Sequence, residues 1–377
     1  MRKNIAIFCD GTWQYLSQPA PTNVTCLARS VASTQSANGC PQVVFYDDGV
    51  GVSEGVLPIA TKMLGGGMGE GLDAKIAQAY EFLCLNYAPG DSIYIFGFSR
   101  GAYTARSLAG LLRKCWILKR DQVGYVDAAM AHYRTGDLDN PQLAQFKLDH
   151  CYAAQAFCDP RDANPLTASN AIDAAAFGHV QYVGVWDTVG SLGIPNILPF
   201  HNDVNAKYRF HDESLSRFVI SARHAVSLDE RRSTFLPTLW DNIDSLNKNA
   251  GADGLPLKER PYQQVWFPGR HSGVGGGEVD GGLSKTPLLW IADGAAHAGL
   301  EWSDEALAAF SRSANPCAPF VVESWSLSTE IISLMGEADR TGPAKFEEIS
   351  DAAHVRWKAV PTYRPPPISR FAQQLSL

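Results

Sequence analysis

The sequence predicts an α/β fold: a mostly parallel central sheet with helices on both faces and a helical cap insertion. Three observations carry this expectation: short apolar runs that stop at Asp- and Gly-containing loops, helical periodicity between the runs, and short connections from one run to the next. The first run, Ile5-Ala6-Ile7-Phe8, stops at Asp10-Gly11-Thr12 and reads as a strand followed by a loop. A second, Val43-Val44-Phe45-Tyr46, ends at Asp47-Asp48-Gly49. After a glycine-rich stretch, Leu72, Ile76, Tyr80, Leu83 and Cys84 recur at helical spacing, and that helix ends before Pro89-Gly90. The third strand, Ile93-Tyr94-Ile95-Phe96, runs into Gly97-Phe98-Ser99-Arg100-Gly101, and a helix follows through Ala102, Ala105, Leu108 and Leu112. Residues 120–180 loosen into short helical and polar pieces, expected as the cap insertion. The sheet resumes at Val183-Gly184-Val185-Trp186, before Asp187-Thr188-Val189-Gly190, and again at Gln264-Val265-Trp266-Phe267, before Pro268-Gly269-Arg270-His271. Between these two strands lie a candidate lid at 191–203 and an expected amphipathic helix over about 213–228. The expected organisation is one domain over 1–345 and an irregular, Pro-rich tail over 346–377.

Composition narrows the function classes. With 45% apolar and 19% charged residues in a chain of 377, there is ample material for a large core. No window approaches the run of about 20 apolar residues that a membrane span needs. A strand-like segment directly follows Met1-Arg2-Lys3, where a secretory signal would place its apolar region. A formal charge of −7 without a Lys/Arg stripe excludes a phosphate-backbone ligand, so nucleic acid is not an expected partner. The eight cysteines never form a C-x-x-C pair, and several sit in apolar runs, as reduced packing residues do. The expected location is the cytoplasm, with signal-peptide-independent export and peripheral membrane contact left open. Nothing in the sequence sets the oligomeric state.

The chemistry is expected at Ser99. The pattern Gly97-Phe98-Ser99-Arg100-Gly101 follows a strand and opens a helix, which is the context of a nucleophile elbow and specifies the fold further as α/β-hydrolase-like. Small residues two positions either side let strand and helix close on a sharply turned serine. The helix N-terminus aims the Arg100 amide at a developing oxyanion, and a second donor is expected from the loop after the first strand, through Gly11 or Thr12. A serine hydroxyl needs a base oriented by a carboxylate, and the order Ser, acid, His, each after a strand, selects Asp187 and His271. His224 competes as base but falls in the expected helix. Asp10 competes as acid or shapes the oxyanion loop, and Asp280 is a third acid. The glycines Gly273, Gly275, Gly276 and Gly277 suggest unusual backbone angles beside the site.

These residues also carry a resemblance. Phe8-Cys9-Asp10-Gly11-Thr12, Thr22-Asn23-Val24, Gly97 to Arg106, Val185-Trp186-Asp187-Thr188-Val189-Gly190-Ser191, His224 to Arg232, and Trp266-Phe267-Pro268-Gly269 with His271-Ser272 resemble the DUF2235 family over roughly residues 1–300. This is a set of α/β-hydrolase-like proteins that includes phospholipase effectors delivered by bacterial type VI secretion systems. The resemblance implies a Ser-Asp-His site and hydrolysis of carboxylic esters, phospholipids being one substrate class. The chain departs from the family at Gly273 and Lys285, where Asp is common.

The leading expectation is therefore a serine esterase or phospholipase-like enzyme acting on a small-molecule or lipid ester, with no cofactor and no metal. A catalytically silent binding module on the same fold is the alternative, since fold does not guarantee chemistry. A third reading gathers Asp10, Asp47, Asp48 and Asp187 around a hard cation for metal-assisted hydrolysis.

Overall fold

The computed structural model describes residues 2–11, 14–32, 39–49, 67–135, 140–152, 180–190, 214–279, 281–320 and 336–377. Six strands, β1 (Asn4–Cys9), β2 (Gln42–Asp47), β3 (Ser92–Phe98), β4 (Val180–Trp186), β5 (Val219–Ser227) and β6 (Tyr262–Phe267), form one sheet in the order β2-β1-β3-β4-β5-β6. Every neighbouring pair is parallel. Helices α1 (Asn23–Ala28), α2 (Gly67–Asn86), α3 (Arg100–Cys115), α4 (Val126–Thr135), α5 (Pro141–His150), α6 (His271–Gly275), α7 (Lys285–His297) and α8 (Asp351–Ala359) are distributed around it.

Side chains alternate between the two faces, as strand geometry requires. Ile5, Ile7, Ile93, Ile95, Val183 and Val185 pack into one apolar layer with α2, α3, α4 and α5. Phe8, Tyr94, Phe96, Tyr182 and Trp186 face the opposite way, toward Val24 and Leu27 of α1 and Leu288, Ile291 and Ala295 of α7. Burial on both faces explains why β1 and β3 read as uninterrupted apolar runs. This is the α/β class, a parallel sheet with helices on both faces, that the sequence predicts. The chain runs outward from β1 to β2, then back past β1 to β3 and onward to β6, so strand order reverses between β1 and β3. The loops leaving β1 and β3 diverge at this point, and they carry Asp10-Gly11 and Ser99.

Three expectations need correction or qualification. The helix expected over 213–228 is instead strand β5, an interior strand between β4 and β6. Arg223 and His224, both buried, break the apolar run and mimic an amphipathic helix, whereas Val219, Ile220 and Val226 are strand formers. The tail over 346–377 is not irregular. Ser350 caps α8 by accepting from the Ala353 amide, the chain ends in a helix at Ala372–Ser376, and Trp357, Ile368 and Leu375 pack with Trp266 of β6. In the expected cap, α4 and α5 bury Val126, Met130, Tyr133, Leu143 and Phe146 in the same layer as α2 and α3. Residues 153–179 and the candidate lid at 191–203 lie outside the described residues. Among the described residues no helix is long and apolar enough to cross a membrane.

Candidate active site

Ser99 stands between β3 and α3 with φ 58° and ψ −123°. Its amide donates to the Trp186 carbonyl at 3.1 Å, and its own carbonyl accepts from the Ala102 and Tyr103 amides at 3.1 and 3.3 Å. The turn is this tight because both flanking glycines lie against backbone: a Cβ on Gly97 would collide with the Gly101 carbonyl, and one on Gly101 with the Cys9 carbonyl. Gly101→Ala weighs two effects against each other. Alanine gains about 1 kcal/mol of helix propensity over glycine, while overpacking costs about 1–3 kcal/mol, at the upper end against an immobile carbonyl. The expected result is a net loss of about 1–2 kcal/mol in denaturant unfolding; a raised midpoint would show that strand and helix are not in this contact.

Asp187 follows β4. Among the described residues, three non-glycine residues have positive φ, and two of them are Ser99 and Asp187, the latter at 40°. Such strain persists where the surroundings over-determine it and concentrates at functional sites. Here the surroundings are explicit. Asp187 Oδ1 accepts from the Ser227 amide at 2.9 Å, and Oδ2 lies 2.6 Å from His271 Nδ1. Both oxygens also accept from the Arg340 guanidinium, at 2.6 and 3.0 Å. Asp187 is fully buried. Burial alone would push its carboxyl up, but the Arg340 cation and the His271 hydrogen bond outweigh it and hold the group well below the usual carboxylate range.

His271 opens α6 after β6. Its amide donates to Glu230 Oε2 at 3.2 Å. Its ring lies between Phe98 and Phe235, with centroids 4.6 and 4.9 Å away. Phe98 directly precedes Ser99, and a Cβ on Gly275 would collide with the Phe98 ring, so Gly275 lets α6 close on the elbow. Of the glycine run, Gly276 and Gly277 have the expected unusual angles, φ 84° and 99°, whereas Gly273 and Gly275 are ordinary helical residues of α6; the Gly277 amide donates to the Pro21 carbonyl at 3.2 Å. Asn23 ties the same region down by donating to the Val274 and Ser284 carbonyls.

The competing residues have other employment. His224 is buried on β5, where Nε2 accepts from the Thr188 amide at 3.2 Å and Nδ1 meets Gln264 Oε1 at 3.0 Å. Burial, with the Arg106 cation nearby, lowers its pKa to about 3. It stays neutral and props the turn after Asp187. Asp10 accepts from Thr22, Thr25 and Tyr46 hydroxyls at 2.6, 2.9 and 2.7 Å. Its other oxygen accepts the Gly11 amide at 2.7 Å. Asp10 therefore shapes the loop after β1, and the Gly11 N–H, expected as an oxyanion donor, is taken up by that carboxylate. Gly11 still lies beside Ser99: a Cβ built on it would sit 3.5 Å from Ser99 Cβ. Thr12 and Asp280 lie outside the described residues. Arg100 is the first residue of α3, so its amide lies at the positive end of the helix.

The carboxylates weighed as a cation site have separate partners, Asp47 with Lys75 Nζ at 2.6 Å and Asp48 with the Leu16 amide at 3.2 Å, and among the described residues no three His, Cys, Asp or Glu side chains are grouped to hold a metal. At the two departures from the family pattern, Gly273 is buried within α6 and Lys285 Nζ approaches Cys26 Sγ at 3.4 Å. Sequence reasoning missed Arg340, Glu230 and Phe235. Glu230 lay within a quoted motif, but Arg340 has no local signal at all.

Comparison with known proteins shows the family of the chain. A family model described as "T6SS, Phospholipase effector Tle1-like, catalytic domain" matches residues 3–294. The chain is 29% identical over 244 residues to the uncharacterized protein YEL023C of Saccharomyces cerevisiae, covering 62% of this chain and 32% of the yeast protein. Among solved structures, the Tle1 effector bound to the VgrG spike of the type 6 secretion system is 18% identical with a TM-score of 0.39, covering 74% of this chain and 52% of that one. An uncharacterized protein from Pseudomonas aeruginosa is 16% identical with a TM-score of 0.45, covering 99% and 52%. The propionate-bound esterase Est2 of Thermogutta terrifontis is 12% identical with a TM-score of 0.35, covering 79% and 84%. The chain thus spans 32% of the yeast relative and 52% of each of the first two solved chains. By the family match, which runs over most of its length, the chain belongs to the Tle1-like family of type VI secretion phospholipase effector catalytic domains.

Proposed function

We propose that the chain hydrolyses carboxylic esters, with lipid or phospholipid acyl esters as the substrate class, through an acyl-enzyme on Ser99. The observation that carries this reading is the 2.6 Å hydrogen bond from His271 Nδ1 to Asp187 Oδ2, on loops converging on the strained Ser99 turn. Family membership supports the same class of chemistry.

In this mechanism Ser99 Oγ attacks the acyl carbonyl while His271 Nε2 takes its proton, and Asp187 stabilises the resulting imidazolium. The carbonyl electrons move to oxygen, where the Arg100 amide at the helix N-terminus donates. Collapse breaks the bond to the leaving alcohol, which receives the proton from His271. Water then repeats the sequence, releasing the acid and restoring Ser99.

The pH dependence follows from the direction of the Asp187 shift. A carboxyl held well below its usual range stays ionised as pH falls, so Asp187 adds no second proton to the acid-side loss of kcat/KM. A slope of two on that limb would contradict the assignment.

The test is labelling by an active-site fluorophosphonate with intact-mass readout, beside a p-nitrophenyl ester series from short to long acyl chains and phosphatidylcholine vesicles. One adduct per chain with chelator-insensitive turnover is expected, and the series ranks acyl length. Absence of an adduct on folded protein would favour the silent binding module, and loss of turnover with chelator would favour metal-assisted hydrolysis.

A further inference from the structure

Arg340 lies beyond the stretch that matches the family model, which ends at residue 294, yet it reaches the centre of the site. It is almost completely buried, with its side chain 1% exposed against a fully buried Asp187. Its segment is held beside the loop after β5: Arg232 and Glu337 form an antiparallel bridge, and the Ala338 amide donates to the Arg231 carbonyl at 2.9 Å. From there the guanidinium spreads over three partners. Nη1 donates to Asp187 Oδ1 at 2.6 Å and to the Ser227 carbonyl at 2.9 Å. Nη2 donates to Asp187 Oδ2 at 3.0 Å and to the Phe235 carbonyl at 2.6 Å.

This arrangement does more than neutralise a charge. A planar fork engaging both carboxylate oxygens fixes the plane of the carboxylate, which a single-point cation does not. With the Ser227 amide on one oxygen and His271 Nδ1 on the other, Asp187 has four donors and no freedom to turn. The grip on the Phe235 carbonyl also anchors the residue whose ring packs edge-on to His271. Hydrophobic residues of similar volume often replace a buried ion pair without loss of stability, so stability alone gives little reason for this one.

We propose that Arg340 is a positioning residue of the hydrolytic site, its guanidinium locking Asp187 in the one orientation that presents Oδ2 to His271 Nδ1. The proposal rests on the Ser99-His271-Asp187 reading, and the experiment separates the two. In the full chain, Arg340→Ala, Arg340→Lys and Asp187→Asn are compared by kcat, KM and pH profile on a p-nitrophenyl ester, with and without low, non-denaturing guanidinium. For Arg340→Ala, kcat is expected to fall about 100-fold, as for an ångström of misplacement at a catalytic group, with KM nearly unchanged. The acid limb moves to higher pH, because without the Arg340 cation the buried Asp187 carboxyl takes up a proton more readily. Guanidinium restores at least about tenfold of kcat in Arg340→Ala, by refilling the fork, and none in Asp187→Asn. Folding of each variant is checked by circular dichroism. If Arg340→Ala does not fold, Arg340→Lys decides, with an expected drop of about tenfold and the same shift of the limb, since lysine offers only a point charge. Wild-type kcat in either folded variant overturns the proposal, as does a lowered kcat with an unmoved acid limb and no guanidinium response. Full activity in Asp187→Asn would instead sink the triad reading itself.

Discussion

Ser99→Ala is expected to remove both the fluorophosphonate adduct and at least about 1,000-fold of ester turnover, up to about a million-fold, leaving only binding and oxyanion stabilisation to act on the substrate. The fold should not notice. The Ser99 side chain makes no capping hydrogen bond to α3, so losing its hydroxyl is expected to change stability by no more than about 0.5 kcal/mol. Ser99→Gly sharpens the test. Ser99 sits at φ 58°, where a residue with a Cβ is strained by about 1–3 kcal/mol and glycine is not. The glycine variant should therefore melt at a higher temperature than the wild type while being equally inactive. Strain held at a residue that contributes nothing to stability is the expected mark of a site kept for chemistry. A labelled, active alanine variant would move the nucleophile elsewhere.

The parts of this molecule legible from sequence are those where local pattern and tertiary role coincide. β1 and β3 are buried on both faces by helices, so their apolar runs are continuous, and the elbow announces itself because close approach of Gly97 and Gly101 to backbone excludes side chains there. Asp187 and His271 are legible as candidates because each sits in the connection after a strand, a rule that depends on topology rather than on their own neighbours. β5 was not found, because a strand in the middle of a parallel sheet that buries Arg223 and His224 must satisfy them with partners far away in sequence, Asp293 and Gln264 among them. The role of Asp10 was readable only as two alternatives, and the three hydroxyls that decide between them come from Thr22, Thr25 and Tyr46 on two later elements. Arg340 illustrates the limit most clearly. It sits in Asp339-Arg340-Thr341-Gly342-Pro343, a polar stretch without a motif, and its partner Asp187 is 153 positions away. No periodicity or motif spacing encodes such a pairing, which arises only when the segment after residue 335 is laid beside the loop following β5.

Asp187→Asn carries the second large effect, and it couples activity to stability in a way that Ser99→Ala does not. Asparagine is nearly isosteric, so the strained turn survives, but its amide has one oxygen where the carboxylate had two. His271 Nδ1 then loses the acceptor that keeps its proton there, the ring favours the tautomer protonated at Nε2, and that nitrogen cannot take the Ser99 proton. A fall in kcat of about 10,000-fold is expected. At the same time the buried Arg340 cation faces a neutral partner, and breaking a buried pair from one side costs about 3–5 kcal/mol. The two consequences separate in a double variant. Adding Arg340→Met to Asp187→Asn removes the orphaned charge, so urea unfolding should recover most of the lost stability while turnover stays at the level of the single variant. Recovery of both together would mean that Asp187 serves the fold alone and that another acid orients His271. Recovery of neither would mean that the guanidinium holds the Ser227 and Phe235 loops through their carbonyls more strongly than it depends on the carboxylate.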